Sequence, residues 1–169
     1  MHKVYLGIGT NLGDKESNIL RAYELIRDRV GEIVKRSTLY NTEPWGFESE
    51  NSFLNSVICV ETALFPRQLL QTTQQIEREM GRTSKSTDGI YHDRIVDIDI
   101  LLYDDLKVNE PDLVIPHPLM KERDFVMKPL KEVQGDKGQR TKYKVTKDKV
   151  QGTKYKVIKY KEPNILNDE

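Results

Sequence analysis

The chain has 169 residues, 37% hydrophobic and 32% charged, with 27 basic against 27 acidic residues. That length suits one domain with a sizeable core. The lone Cys59 excludes an intramolecular disulfide, and no apolar run is long enough to cross a membrane as a helix.

The formal balance hides an asymmetry. From Asp136 onward there are ten Lys/Arg and five Asp/Glu, whereas the preceding body carries 17 basic and 22 acidic residues. An acidic body argues against nucleic acid as a partner, and the basic end reads as a solvated tail. The first residues run straight into an apolar alternation without a signal-peptide pattern. The expectation is a cytoplasmic monomer with small-molecule partners and no membrane contact.

Val4, Leu6 and Ile8 alternate, which predicts a first strand, and Gly7, Gly9 and Gly13 read as a glycine-rich turn after it. Asp14 suits the N-cap of a helix with Ile19, Tyr23, Ile26 and Val30 at helical spacing, ended by Gly31. Glu32 to Tyr40 leans towards strand, and a loop follows. In the next predicted strand, Phe53 to Thr62, the residues Phe53, Asn55, Val57 and Cys59 share one face, with Leu54, Ile58 and Val60 on the other. Cys59 reads as a small core residue. Pro66 fits the first turn of a second helix with Leu69, Thr73, Ile76 and Met80 inward and Gly81 as its stop. A polar loop, 82–93, leads to the strand Arg94 to Tyr103. Segments around Leu106–Val108 and Leu113–Ile115 are expected to extend the sheet. The two prolines of Pro116-His117-Pro118 bar that segment from a central strand.

The order is β-α-β-β-α-β with short C-terminal elements. It predicts an α+β, ferredoxin-like antiparallel sheet with helices packed on one face. Residues 1–134 form the expected domain. Residues 135–169 contain Thr141-Lys142-Tyr143-Lys144-Val145 and again Thr153-Lys154-Tyr155-Lys156-Val157. This Lys-rich repeat could fold as a two-strand hairpin, but its composition favours a disordered or weakly docked tail.

The chemistry concentrates in Asp97-Ile98-Asp99. Strand parity turns both carboxylates to one face and assigns Val96, Ile98, Ile100 and Leu102 to the other. Two adjacent carboxylates in an apolar run repel each other and resist desolvation, a conflict that a divalent cation resolves. With Arg94 upstream, the pattern suits Mg²⁺ carrying a phosphorylated substrate. Gln74 and Glu77, three apart and off the apolar stripe of their helix, could border such a site. Arg82, Lys85 and Arg94 bracket the polar loop and could clamp a polyphosphate. His117, on a proline-stiffened segment, could donate to a phosphate oxygen, with Arg123 and Phe125 close behind. Asn55 beside Phe53 suggests one amide reading a planar heterocycle under a stacked ring. The glycine-rich segment lacks the Gly-Lys-Ser/Thr ending of a P-loop and the spacing of a dinucleotide fingerprint.

In order and spacing, several segments resemble the 6-hydroxymethyl-7,8-dihydropterin pyrophosphokinase family of folate biosynthesis. They are Leu6 to Gly13, Tyr40-Asn41-Thr42-Glu43-Pro44, Phe53-Leu54-Asn55, Gln74-Gln75-Ile76-Glu77, Gly81-Arg82, Arg94 to Leu101, Ile115-Pro116-His117-Pro118 and Met120 to Phe125. The resemblance implies transfer of diphosphate from ATP to a pterin hydroxymethyl group, with release of AMP. It implies two Mg²⁺ ions at Asp97 and Asp99, with Arg82 and Arg94 also catalytic. It places Gln74, Glu77, Arg82, Arg94, His117 and Arg123 on ATP, and Thr42, Asn55, Phe125 and an aromatic position filled by Tyr91 on the pterin. Beside these, Lys85 is expected to join the ATP group, and Pro44, Trp45 and Phe53 the pterin pocket. The family's usual second arginine, two residues after Arg82, is Ser84 here. Its Gly-Pro before the later arginine is His92-Asp93, its proline after the threonine is Glu43, and Pro118 stands where tyrosine is common. The alternative reading is a non-catalytic ferredoxin-like nucleotide-binding or regulatory module. Loops 41–52 and 82–93 flank the proposed site and are expected to order on substrate binding.

Overall fold

The computed structural model describes residues 1–42, 52–81 and 95–135, together with two strands at 146–149 and 155–159. Strand β1 (His2–Thr10) is central, and its inward residues are Val4, Leu6, Ile8 and Thr10. It pairs antiparallel with β4 (Phe53–Thr62) on one side, in register from His2↔Thr62 to Thr10↔Leu54. On its other side it pairs with β5 (Asp97–Tyr103). Two short strands, β2 (Gly31–Arg36) and β3 (Leu39–Thr42), share the far edge of β4. This is the expected ferredoxin-like sheet.

The single β-leaning run divides at Ser37 and Thr38. The Ser37 N–H donates to the Val57 carbonyl oxygen, and its hydroxyl accepts from the Val57 N–H. That local exchange interrupts the regular ladder between the two strands.

Helices α1 (Lys15–Arg29) and α2 (Pro66–Glu79) cover one face of the sheet. Ile19, Tyr23 and Ile26 of α1 and Leu69 and Ile76 of α2 pack with Leu6, Ile58, Val60, Ile98 and Ile100 in one buried core. The Asp14 carboxylate accepts from the Ser17 N–H at 3.2 Å, as an N-cap should. Pro66 occupies the first turn of α2, and the chain leaves that helix at Gly81 with φ of 105°. Gly31 differs from its expected role as helix stop. Val30 caps α1, while Gly31 opens β2 opposite Thr62. Its constraint is close approach, because a Cβ there would stand 1.9 Å from the Glu61 carbonyl oxygen.

Three more expectations are corrected. Gly7 and Gly9 lie within β1, not in a turn; of the three glycines only Gly13, at φ of 65°, has turn geometry. Leu102 is not on the Ile98 and Ile100 face. Tyr5 pairs with Leu102 and Leu6 with Ile100, so Leu101 is an extra residue that reverses strand parity. Leu101 and Leu102 therefore both join a second cluster, while Tyr103 returns to the main core. The segments near Val108 and Leu113 form a separate ribbon, β6 (Val108–Glu110) with β7 (Leu113–Ile115), and do not extend the sheet. The turn after β5, with Asp104 at φ of 47°, carries the chain away from the ladder. Arg67 of α2 pairs with Asp112 at 2.6 Å and also with Glu110, fastening that ribbon to the helix.

A third helix, α3 (Asp124–Gln134), adds to the expected order; Pro129 inside it masks the helical period of Val126, Leu130 and Val133. It follows a short 3-10 turn (Met120–Glu122) and lies on the sheet face opposite α1 and α2. There Leu130 and Val133 pack with Val57, Leu101 and Met120. The second face is thus half covered, and the rest is left for a site. In the tail, β8 (Thr146–Lys149) and β9 (Tyr155–Lys159) form an antiparallel hairpin, and β9 pairs along β3 from Leu39↔Ile158 to Thr42↔Tyr155.

Candidate active site

Asp97 and Asp99 are half-buried on the sheet face away from the main core, separated by the buried Ile98. Across the ladder they face positions without side chains, because Asp97 pairs with Gly9 and Asp99 with Gly7. One strand further, Gly9 pairs with Asn55, and Asn55 pairs with Tyr40. The result is a shallow trough with carboxylates on one bank, a bare backbone floor, and an amide on the other bank.

The floor and the amide depend on each other. A Cβ on Gly9 would stand 2.9 Å from the Asn55 side-chain oxygen, so that amide occupies the space a side chain would fill. The Asn55 Nδ2 donates to the Thr42 hydroxyl at 2.9 Å, which fixes the amide's orientation. Phe53, the cross-strand partner of Thr42, is half-buried at the same end.

The outer edge of β5 brings further groups in. Glu77 of α2 is buried, contrary to its expected place off the apolar stripe. Its carboxylate accepts from the Ile98 N–H at 2.9 Å, which satisfies an edge donor between the two aspartates. Gln74, one turn earlier, is exposed. The segment after the Ile115–Pro116 cis bond docks beside the Leu101 bulge, where the His117 N–H donates to the Leu101 carbonyl oxygen at 3.0 Å. The His117 Nδ1 accepts from the Leu119 N–H at 3.3 Å, which leaves the ring proton of the neutral form on Nε2. Burial lowers the His117 pKa below its usual 6.5; the positive charge of Arg123 lowers it further, and the negative charge of Asp97 opposes both. His117, Arg123 and Asp97 therefore share one electrostatic neighbourhood. Arg123 stands at the start of α3 with its guanidinium 5.8 Å from the Phe125 ring centre.

Asp97, Asp99, Asn55, Thr42, Phe53, Glu77, Gln74, His117, Arg123 and Phe125 are thus on elements that border the trough. Arg82, Lys85, Arg94, Pro44, Trp45 and Tyr91 lie outside the described residues, as does most of the two loops expected to close over the site. No group of three or more His, Cys, Asp or Glu able to hold a metal occurs among the described residues. Two neighbouring carboxylates still suit Mg²⁺, which uses one or two protein oxygens and completes its shell with water and substrate phosphate.

The family profile described as 7,8-dihydro-6-hydroxymethylpterin-pyrophosphokinase (HPPK) matches residues 5–135. The chain belongs to the HPPK family. Accordingly it is an ATP-using diphosphotransferase of folate biosynthesis. It is 52% identical over 131 residues to a 2-amino-4-hydroxy-6-hydroxymethyldihydropteridine pyrophosphokinase of Porphyromonas gingivalis, covering 77% of this chain and 89% of that one. The Aquifex aeolicus protein of the same name is 42% identical over 134 residues, covering 79% and 81%. A crystal structure of an HPPK-DHPS in complex with substrates shares the fold, with a TM-score of 0.58 at 17% identity. The alignment spans 78% of this chain but only 40% of that longer one.

Two features of this HPPK site escaped sequence reasoning. One is the role of Gly9, whose alternation with Gly7 inside an apolar strand was a usable signal for a bare floor. The other is α3, at whose start Arg123 stands in the electrostatic neighbourhood of His117 and Asp97. No helix of the described residues is long and apolar enough to cross a membrane.

Proposed function

We propose that this chain transfers the β,γ-diphosphate of ATP to the hydroxymethyl oxygen of 6-hydroxymethyl-7,8-dihydropterin and releases AMP. The observation that carries this reading is the pairing of two same-face aspartates with an amide-lined pocket across a glycine floor. Asp97 and Asp99 would hold two Mg²⁺ ions, which when bound supply charge neutralisation for the triphosphate and a template for in-line displacement. The hydroxymethyl oxygen gives up its proton to solvent and forms a bond to the β-phosphorus as the bond from that phosphorus to the bridging α-phosphate oxygen breaks, so AMP leaves with that oxygen and the electron pair.

The chain's own groups divide the work. Asn55, held by Thr42, pairs with the pterin edge, while Phe53 and Phe125 bracket its ring together with Pro44, Trp45 and Tyr91. The His117 Nε2–H donates to a phosphate oxygen, and Arg123 places positive charge beside it. Gln74 and Glu77 border the nucleotide, and Arg82, Lys85 and Arg94 clamp the polyphosphate. Arg82 and Arg94 also stabilise charge as the diphosphate moves. Residues 1–134 form the catalytic unit and 135–169 an appendage, and the protein works as a cytoplasmic monomer.

The deciding experiment is a product assay with ATP and Mg²⁺, with and without the pterin acceptor. AMP should form only when both substrates are present. Production of ADP, or AMP formation that ignores the acceptor, overturns the reading. Mg²⁺-dependent nucleotide binding without turnover would return the chain to the non-catalytic module.

A further inference from the structure

We infer that Glu132 is a positioning residue of the pterin pocket: its carboxylate ties α3 to β3, the strand whose Thr42 holds the Asn55 amide. The inference rests on the pterin reading above. Glu132 receives three hydrogen bonds across the second sheet face. Its Oε2 accepts from the Thr38 N–H at 2.7 Å, and its Oε1 accepts from the Thr38 hydroxyl and the Tyr40 hydroxyl at 2.9 Å each.

Part of this has a purely structural use. Thr38 sits where the ladder is interrupted between β2 and β3, and a buried N–H there needs an acceptor. Its own hydroxyl and the Tyr40 hydroxyl are not needed for that purpose. The helix is also already attached to the sheet, because Leu130 and Val133 pack with Val57 and Leu101. Apolar packing is non-directional and leaves α3 free to slide by fractions of an ångström. Charge-assisted bonds from three donors on β3 and its entry fix the helix along that strand.

The direction matters because of what lies at each end. Tyr40 is the cross-strand partner of Asn55, and Thr42 accepts from the Asn55 amide. Phe125 lies two turns before Glu132 on the same helix. One carboxylate therefore holds in place the strand whose Thr42 orients the amide that would read the pterin. Its three bonds go to β3 and its entry, on the far side of the trough from Asp97 and Asp99, so its loss should weigh on the pterin more than on ATP, which would feel it only through Arg123 at the other end of α3.

The test is initial-rate kinetics on the full chain and on Glu132→Ala, Glu132→Gln and Tyr40→Phe, well below the lowest melting midpoint. The glutamine can still accept from the Thr38 N–H and donate to both hydroxyls, so it serves as the conservative rescue. Glu132→Ala should raise the pterin KM about tenfold through misplacement of the pocket walls. The ATP KM should stay within about twofold, as for distant uncoupled sites. Tyr40→Phe should give a smaller rise in the same KM, and Glu132→Gln should recover most of the loss. If Glu132→Ala does not fold, Tyr40→Phe decides. An unshifted pterin KM in the folded variants, or parallel rises for both substrates, overturns the inference and leaves the reaction standing. No AMP from the unmutated chain removes both.

Discussion

Gly9→Ala isolates the trough floor from the rest of the fold. The added Cβ would stand 2.9 Å from the Asn55 side-chain oxygen, with the Leu54 carbonyl oxygen at an ordinary 4.0 Å. The amide, not the backbone, must yield, by about half an ångström to reach normal contact. Moving it sacrifices the bond to Thr42, which costs about 1 kcal/mol. Alanine is better than glycine within a strand by roughly 0.5–1 kcal/mol, so the two terms nearly cancel. The melting midpoint should therefore shift by less than about 5 °C. Pterin recognition has no such offset. Losing two amide bonds of about 1 kcal/mol each raises the pterin KM roughly thirtyfold. Gly7→Ala is the control: its Cβ would meet the Leu101 side chain at 3.5 Å, an ordinary contact. That variant should keep its pterin KM within about twofold. Paired melting curves and initial rates with varied pterin read both quantities. A folded Gly9→Ala enzyme with unaltered pterin KM would refute the assignment of Asn55 to the pterin.

Asp97→Asn and Asp99→Asn should each lower kcat/KM at least about a hundredfold, a loss of several kcal/mol of transition-state stabilisation, and EDTA should silence the unmutated enzyme. Near-normal turnover in either variant contradicts the metal role. Gly31→Ala would put a Cβ 1.9 Å from the Glu61 carbonyl oxygen, so urea unfolding should show a loss of at least about 3 kcal/mol. In the metal-free protein, proton NMR should give His117 a midpoint below 6.5, higher in Arg123→Gln and lower in Asp97→Asn. Because the folded pKa lies below the unfolded one, this histidine removes stability as pH falls from about 6.5 towards the folded midpoint; a midpoint at or above 6.5 contradicts that linkage. Ending the chain after Gly135 deletes β9, so amide exchange across Leu39–Thr42 should quicken relative to β1, and equal protection would show that β9 does not cover that edge.

Much of the site was legible because strand parity is a local property. The same-face aspartates, Asn55 with Phe53, and the inward Leu54, Ile58 and Val60 all follow from alternation in short runs. The helices α1 and α2 were equally legible, since Asp14, Pro66 and Gly81 punctuate clean apolar stripes. Parity failed at Leu102, where the Leu101 bulge adds one residue that no local pattern announces. Glu77 was misread because a carboxylate on an inward position is justified only by its partner, the Ile98 N–H on another element.

Sequence alone determined the family, the βαββαβ order and the chemical types at the trough, because motif spacing and hydrophobic period reside in neighbouring residues. The tertiary structure decided that α3 covers half of the second face despite Pro129, and that Glu132 bridges it to β3. It also decided that Gly9 is bare to make room for Asn55. Each of those facts depends on groups brought together from distant parts of the chain, and packing selects such pairs only after the local elements exist.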